Sequence, residues 1–353
     1  MKIGVTYNVR SEGDASTAPA LKKESGARFA LPGDDQLEEF DAPETIQAMA
    51  DAIAALGHDV ELLGEGEPLL RRLLDGERPD LIWNVAEGSG AGRSREARVP
   101  AVLEMLGIPY TGSDPLTLAV ALDKVCAKRQ VAAAGVATPR WITFEGDHDT
   151  IAHDLGQLKF PVFAKPALEG SSKGILTASL FDDPAELHAA LDELYETYRQ
   201  PILVEEFIDG DELTVGLIGN GPPEVLGIMR VLPKVNVDQP FIYSLEVKRD
   251  WRARARYECP AQLATADTEA VRQSALLAWE ALGCRDVARI DFRLRGGVPY
   301  FLEANPLPGL SPISGDLVLL TGYVGISYSD LISRILHATL ARVTAHGAAT
   351  LIE

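Results

Sequence analysis

Cysteine is scarce in this chain, and the few that occur exclude two architectures. Cys126, Cys259 and Cys284 are odd in number, far apart, and form no Cys-x-x-Cys pair. A disulfide framework and a thiolate zinc centre are therefore not expected, and the three read as reduced core thiols. Aromatics are sparse at 7% of 353 residues, but the 46% hydrophobic content suffices for an ordinary soluble core. No apolar run reaches the ~18 residues that a membrane span needs, and no signal peptide precedes the first strand-like segment. The expected location is the cytoplasm. Basic residues are outnumbered, 33 against 52 acidic ones, for a formal charge of −19. Such a surface repels nucleic acid and anionic membrane, which removes both from the expected partners. A nucleotide stays possible, because a local basic cluster with Mg²⁺ can hold a triphosphate inside an acidic shell.

What is present is a chain long enough for two or three compact units sharing a cleft. Residues Lys2–Val9 read as a strand, and Ser11–Glu39, rich in small and acidic residues, as a long loop or lid. Asp41 and Glu44 have the spacing of a capping box before a helix whose apolar stripe runs from Ile46 to Leu56 and stops at Gly57. Strands at His58–Leu63 and Pro79–Val85, with a short helix at Pro68–Leu74 between them, argue a parallel, doubly wound sheet. Beyond Pro109 the pattern predicts one helix over Pro115–Gly135, a strand at Trp141–Phe144, a helix over Thr150–Leu158, strands at Phe160–Pro166 and Ile175–Ala178, and a helix over Pro184–Tyr198. Strands Pro201–Phe207, Glu212–Gly219 and Glu224–Leu232 follow, then a polar, basic loop over Pro233–Tyr257. A helix from Asp267 to Leu282, strands Asp286–Leu294 and Val298–Ala304, and a helix over Ser327–Val343 complete the chain.

Three segments carry chemistry. In Arg289-Ile-Asp291 and Glu303-Ala-Asn305, residues two apart share a strand face. The turn Arg295-Gly-Gly297 folds the two segments together, bringing Asp291 nearly opposite Glu303. Hard oxygen ligands converging beside a guanidinium suit Mg²⁺, although the same residues also fit a solvated salt bridge on a surface hairpin. In Lys165-Pro-Ala-Leu-Glu169-Gly-Ser171-Ser172-Lys173-Gly174 a strand delivers a lysine into a small-residue loop. Backbone N–H groups and hydroxyls of such a loop can approach phosphate oxygens. It is not a P-loop, since GxxxxGK[ST] is absent. In Val204-Glu205-Glu206-Phe207-Ile208, followed by Glu212, an apolar strand ends in acidic residues that can edge an adenine and its ribose; alone it is only a strand and a turn.

The order Lys124, Lys165 with its glycine loop, Glu205 to Glu212, Arg289 with Asp291, and Glu303 with Asn305 resembles the nucleotide site of the ATP-grasp fold. Within that superfamily the chain resembles the D-alanine–D-alanine ligase family. Pro109-Tyr-Thr-Gly-Ser113 leading to Asp123-Lys124 is similar to that family's entry to the central domain, and Asn305-Pro-Leu-Pro-Gly309 to its strand-end loop. The likeness runs from Pro79 to Arg342 and more loosely through the N-terminal part.

The resemblance implies an α/β fold, α+β in its C-terminal half. It divides the chain into a Rossmann-like domain over residues 1–112, a central ATP-grasp subdomain over 113–208, and a C-terminal one over 209–353 with the metal and catalytic site. It implies that Lys124 and Lys165 contact ATP phosphates, that Ser171 and Ser172 close over the γ-phosphate, that Glu205, Phe207 and Ile208 hold adenine, and that Glu212 holds ribose. Asp291, Glu303 and Asn305 would bind two Mg²⁺ ions, with Mn²⁺ able to substitute. Arg289 and the Gly309 N–H would stabilise the acyl phosphate and the tetrahedral intermediate. Lys248 would contact the γ-phosphate and the second substrate's carboxylate, and Ser314 would bind that carboxylate. A homodimer is suggested by the resemblance alone.

The departures concern the amino-acid pockets. Arg249 replaces the tyrosine usual after the loop lysine, and Arg252, Arg254 and Arg256 lie nearby. The family's His-Gly-x-x-Gly-Glu-Asp-Gly segment is replaced by Ala86-Glu-Gly-Ser-Gly-Ala-Gly-Arg-Ser-Arg-Glu96, and the leucine expected after Ser314 is Gly315. Only Glu12 offers itself as the first-domain glutamate. The expected activity is an ATP-dependent carboxylate–amine ligase working through an acyl phosphate on amino-acid-like substrates. The alternatives are an authentic D-alanine–D-alanine ligase of peptidoglycan precursor synthesis and, from another class, a non-catalytic nucleotide-binding regulator. Arg249, a planar cation, is expected to grip an extra anionic group of the substrate or an internal carboxylate such as Glu96.

Overall fold

Strands β1 (Lys2–Tyr7), β2 (Asp59–Leu62) and β3 (Leu81–Val85) form a parallel sheet in the order β2-β1-β3. The computed structural model describes residues 1–10, 35, 37–90, 92–234 and 240–350 of the chain, without side chains for 346–350. The expected lid therefore lies mostly outside the described residues, as does Glu12. β1 and β3 are buried along most of their length and rich in Val, Ile and Leu, as strands covered on both faces must be. The helix after the lid spans Pro43–Ala55 and buries Ile46, Met49 and Ile53. The capping box does not form. The N-cap is Ala42 and Pro43 takes the first turn, so Asp41 is left outside and bridges Val9 instead.

The predicted single helix over Pro115–Gly135 is two helices, Pro115–Leu122 and Lys124–Ala133, broken at Asp123. Asp123 adopts extended backbone and its carboxylate accepts from the Cys126 N–H at 2.9 Å, capping the second helix. That break sets Lys124 on the first turn of a new helix, buried to 4% exposure. A four-stranded sheet follows in the order β4-β7-β5-β6, from β4 (Trp141–Phe144), β5 (Val162–Pro166), β6 (Leu180–Phe181) and β7 (Ile202–Glu206). The strand predicted at Ile175–Ala178 is absent: a 3₁₀ turn occupies Thr177–Ser179 and pairing begins only at Leu180.

The remaining sheet is antiparallel in the order β10-β9-β8-β11-β12. It contains β8 (Asp211–Gly219), β9 (Glu224–Pro233), β10 (Ala255–Glu258), β11 (Asp286–Arg295) and β12 (Val298–Asn305). The segment predicted as a loop over Pro233–Tyr257 is largely ordered. Helices Leu245–Arg249 and Trp251–Arg254 lead into β10, which pairs with β9. Helices Arg98–Leu106 and Asp316–Tyr323 were not read from the sequence. The parallel sheet and the C-terminal part share one apolar core, in which Ile3, Val5 and Met49 belong with Leu317, Leu331 and Ile335. Asp286, fully buried with φ of 62°, ties three regions together. It accepts from the Gly112 N–H (2.9 Å), Asn220 (2.9 Å), Thr339 (2.8 Å) and Arg342 (2.6 Å). The three cysteines are unpaired. Among the described residues no helix is long and apolar enough to cross a membrane.

Candidate active site

A cleft of about 560 Å³ runs between the N-terminal loops and the antiparallel sheet. A narrower cavity of about 80 Å³ opens beside it, between the two antiparallel sheets, and shares Lys248, Arg289, Glu303 and Asp316 with the cleft. Lys124, Ser171, Arg249, Asn305, Gly309 and Ser314 line the cleft. Lys165, Ser172, Glu205, Phe207, Ile208, Glu212 and Asp291 line the narrower cavity. Glu12 aside, every candidate nucleotide, metal and substrate residue read from the sequence thus lines one or both.

The β11–β12 hairpin sets the centre. Its register puts Asp291 opposite Glu303 and Arg289 opposite Asn305, with an irregularity between Asp291 and Phe292. Arg289 lies 3.0 Å from Asp291 and 3.9 Å from Glu303, and Asn305 donates to Asp291 at 3.2 Å. Thr214 on β8 donates to the other Asp291 oxygen at 2.9 Å. Burial pushes the Asp291 carboxyl up to about 6, with Glu303 and Asp316 adding to the rise and Arg289 opposing it. For Glu303 the nearby cations outweigh burial, and its pKa falls well below the usual carboxylate range; Lys124 is foremost, at 3.0 Å. Two carboxylates and an amide oxygen on one buried face are a donor set that fits a hard divalent cation such as Mg²⁺.

Around this centre lie paired charges. Lys165, delivered by β5, contacts Glu205 at 2.8 Å, and the other Glu205 oxygen contacts Lys128 at 2.6 Å. Burial opposes charge on all three. The two ammonium groups nevertheless hold Glu205 down to about 2, and the Lys128 ammonium is lowered to about 8. The Glu205 carboxylate is therefore committed to two lysines. Phe207 packs with Phe163, Ile175 and Ile242 around the apolar part of the narrower cavity, which Ile208 also lines. Glu212 pairs with Arg293 at 2.6 Å.

The small-residue loop has Ser171 and Ser172 in consecutive left-handed conformations, φ 48° and 60°. Two non-glycine residues in that region store strain, a feature that concentrates at ligand-holding loops. The loop is clamped from the N-terminal side. Glu39 contacts Arg95 (2.5 Å) and Lys173 (3.2 Å) and accepts from the Gly170 N–H (2.7 Å). Glu169 contacts Lys173 at 2.6 Å and Arg95 at 3.7 Å. The basic segment over the cleft is held to the same loop: Leu245 N–H donates to Ile175 at 2.9 Å, and Ser172 donates to the Tyr243 carbonyl at 3.3 Å.

Sequence reasoning missed several of these groups. Asp316 begins its helix at the cleft and accepts from Arg289 (2.6 Å) and Tyr243 (2.9 Å), with Lys248 3.9 Å away. Lys128 sits one helical turn from Lys124, and that spacing was the signal available for it. Arg249 pairs with Glu38 at 2.8 Å, and not with Glu96. The described end of the N-terminal loop brings Glu38 to it. Gly315 also finds its reason here. A Cβ at this position would lie 2.7 Å from the Gly309 carbonyl oxygen and 2.9 Å from that of Ser311, so the loop closes too tightly for a side chain. Ser314 is exposed, and its hydroxyl donates to Ser311 at 3.1 Å.

Comparisons with known proteins agree with this geometry. Residues 131–337 match the family described as D-ala D-ala ligase C-terminus. An uncharacterized protein of Sinorhizobium fredii is 34% identical over 91% of this chain and 94% of its own length. The D-alanine–D-alanine ligase of Xanthomonas axonopodis pv. citri is 34% identical over 82% of this chain and 87% of its own. That of Aquifex aeolicus is 33% identical over 83% and 94%. In fold, the chain resembles the D-alanine–D-alanine ligase of Bacillus anthracis complexed with ATP, with a TM-score of 0.73 at 23% identity over 98% of this chain and 99% of that one. With the β11–β12 acidic face, the lysine-delivering strand and the strained serine loop gathered on the cleft and the cavity beside it, this chain belongs to the D-alanine–D-alanine ligase family of ATP-grasp enzymes.

Proposed function

We propose that this ATP-dependent C–N ligase activates the carboxylate of an amino-acid-like substrate as an acyl phosphate and transfers the acyl group to an amine. The observation that supports it is the convergence of Lys124, Glu303, Asp291, Asn305 and Arg289 at the junction of the two cavities. The narrower, partly apolar cavity suits the base, with Glu212 near the ribose. Lys165 and the Ser171–Ser172 loop suit the phosphates. The carboxylate oxygen attacks the γ-phosphorus and ADP leaves. The amine nitrogen then attacks the acyl carbon, phosphate leaves, and the amine gives up a proton.

Asp291, Glu303 and Asn305 would hold the metal, one or two Mg²⁺ ions, which supplies charge neutralisation of the phosphates. Arg289, held at 2.6 Å by Asp316, is aimed at charge developing on the transferred group, where a fixed donor acts without reorganising. Lys248 at the end of its short helix reaches both cavities and suits the γ-phosphate or a substrate carboxylate. Helices Leu245–Arg249 and Trp251–Arg254 cover the cleft and protect the acyl phosphate from water.

The Gly315 loop and the Glu87–Glu96 segment differ from the family pattern, which favours substrates other than two D-alanines. The decisive experiment is ADP release across pairs of D- and L-amino acids. Release that requires both an acid and an amine is expected. ATP binding without release for any pair would leave the regulator reading in its place, and D-alanine as best substrate in both positions would restore the cell-wall reading.

A further inference from the structure

Several carboxylates on one wall of the cleft are met by a cation, but two that lie close together are not. Along the wall built by the N-terminal loops, Glu38 is met by Arg10 at 3.2 Å and Arg249 at 2.8 Å. Glu39 and Glu169 are met by Arg95 and Lys173. Glu87 and Glu96 face the same cleft, and among the described residues neither carboxylate has a hydrogen bond or ion pair. Glu96 is 8% exposed. Burial pushes both carboxyls up, Glu96 to about 8; Glu96 adds to the rise at Glu87, and Glu39 and Glu169 add to that at Glu96, while Arg95 opposes both.

The fold places the two together. Glu87 follows β3 directly, and the next residue, Gly88, has φ of 74° and donates to Asn8 at 3.0 Å. A Cβ at Gly88 would meet the Arg95 carbonyl at 2.4 Å, so the strand-end loop lies directly against the segment that carries Glu96. The Arg95 guanidinium makes no ion pair with either; its hydrogen bonds go to Glu39 and the Leu168 carbonyl.

We propose that Glu87 and Glu96 receive a cationic group of the substrate in addition to its α-ammonium, so that the enzyme takes a basic amino acid or a diamine. One α-ammonium neutralises one carboxylate; two unpartnered carboxylates on one wall of the cleft match a second cation. Arg249 had suggested an anionic substrate group, but it is held by Glu38, whereas Glu87 and Glu96 have no ion pair among the described residues. The proposal rests on the ligase reading, and its test separates the two.

Lysine with norleucine, and arginine with citrulline, are compared in both enantiomers. Binding to the ATP-loaded enzyme is read by calorimetry and turnover by ADP release. A cation preference of about ten- to a hundredfold in binding is expected, the size of a charged hydrogen bond. It should fall toward unity in Glu87→Gln and Glu96→Gln, whose ATP affinity reports that each variant is folded. Equal binding of each charged ligand and its uncharged counterpart, or a preference that survives both variants, overturns the proposal. Glutamate-dependent cation binding without ADP release from any pair supports the proposal and overturns the ligase reading alone.

Discussion

The two ends of the cleft handle charge in opposite ways. At the nucleotide end each cation has a carboxylate within reach: Lys124 with Glu303, Lys165 and Lys128 with Glu205, Arg293 with Glu212, Arg289 with Asp291 and Asp316. These groups stand on strands and helix starts. Their mutual pairing offsets the burial that would otherwise neutralise them. At the N-terminal wall the side chains stand on loops, and Glu87 and Glu96 are left unmatched. A site of paired charges suits a ligand common to every member of a family. A site with surplus charge selects among ligands, because the wrong one leaves a buried group unpaired.

The contrast can be broken at several points. The largest effect is expected for Glu303→Gln, which removes a carboxylate from the candidate metal face and leaves Lys124 without its partner. ADP formation should fall by at least two orders of magnitude while circular dichroism stays native. A fully active variant would remove Glu303 from the metal set. Next is Glu39→Ala, which leaves Arg95 and Lys173 sharing Glu169 alone. Losing one partner of a buried ion network costs about 3–5 kcal/mol, read as a lower denaturant midpoint, and a midpoint equal to the parent's would show that the clamp adds nothing to stability.

Lys165→Ala should weaken ATP binding by about 1.5–3 kcal/mol, the loss of a charged hydrogen bond. Calorimetry showing parental affinity would place the phosphates elsewhere. The smallest change is expected for Arg249→Tyr. The ion pair with Glu38 is partly exposed, and such pairs contribute about 0–1 kcal/mol. Substrate profiling should show little altered preference, whereas a strong shift would return Arg249 to the specificity site and move the contrast away from Glu87 and Glu96.

How much of this was legible depended on how far apart in the chain the partners lie. The facing of Asp291 and Glu303 followed from the two-residue strand period and a Gly-Gly turn, a local argument that the register matches. The helix at Pro184–Tyr198 has the bounds its pattern predicted. The break at Asp123 was hidden, because an apolar stripe continues across it and only a side chain's choice to cap the next turn interrupts it. The strand predicted at Ile175–Ala178 failed for a related reason, since an apolar run cannot pair without a neighbour in register.

Sequence by itself determined most strands of the three sheets, the acidic hairpin, the lysine before its serine loop and, through their resemblance to a family, the nucleotide chemistry. Those features are fixed by short-range periodicity and by motifs a few residues long. Tertiary structure decided which charges neutralise one another. Arg249 meets Glu38 across 211 positions, Lys173 meets Glu39 across 134, and Arg95 meets Glu169 without any pattern announcing it. A charge's partner is set by distance in space and by the burial that makes an unpaired group costly. Neither is written in the spacing of residues along the chain, so the unpaired state of Glu87 and Glu96 became visible only once the described loops had joined Arg95 to Glu39.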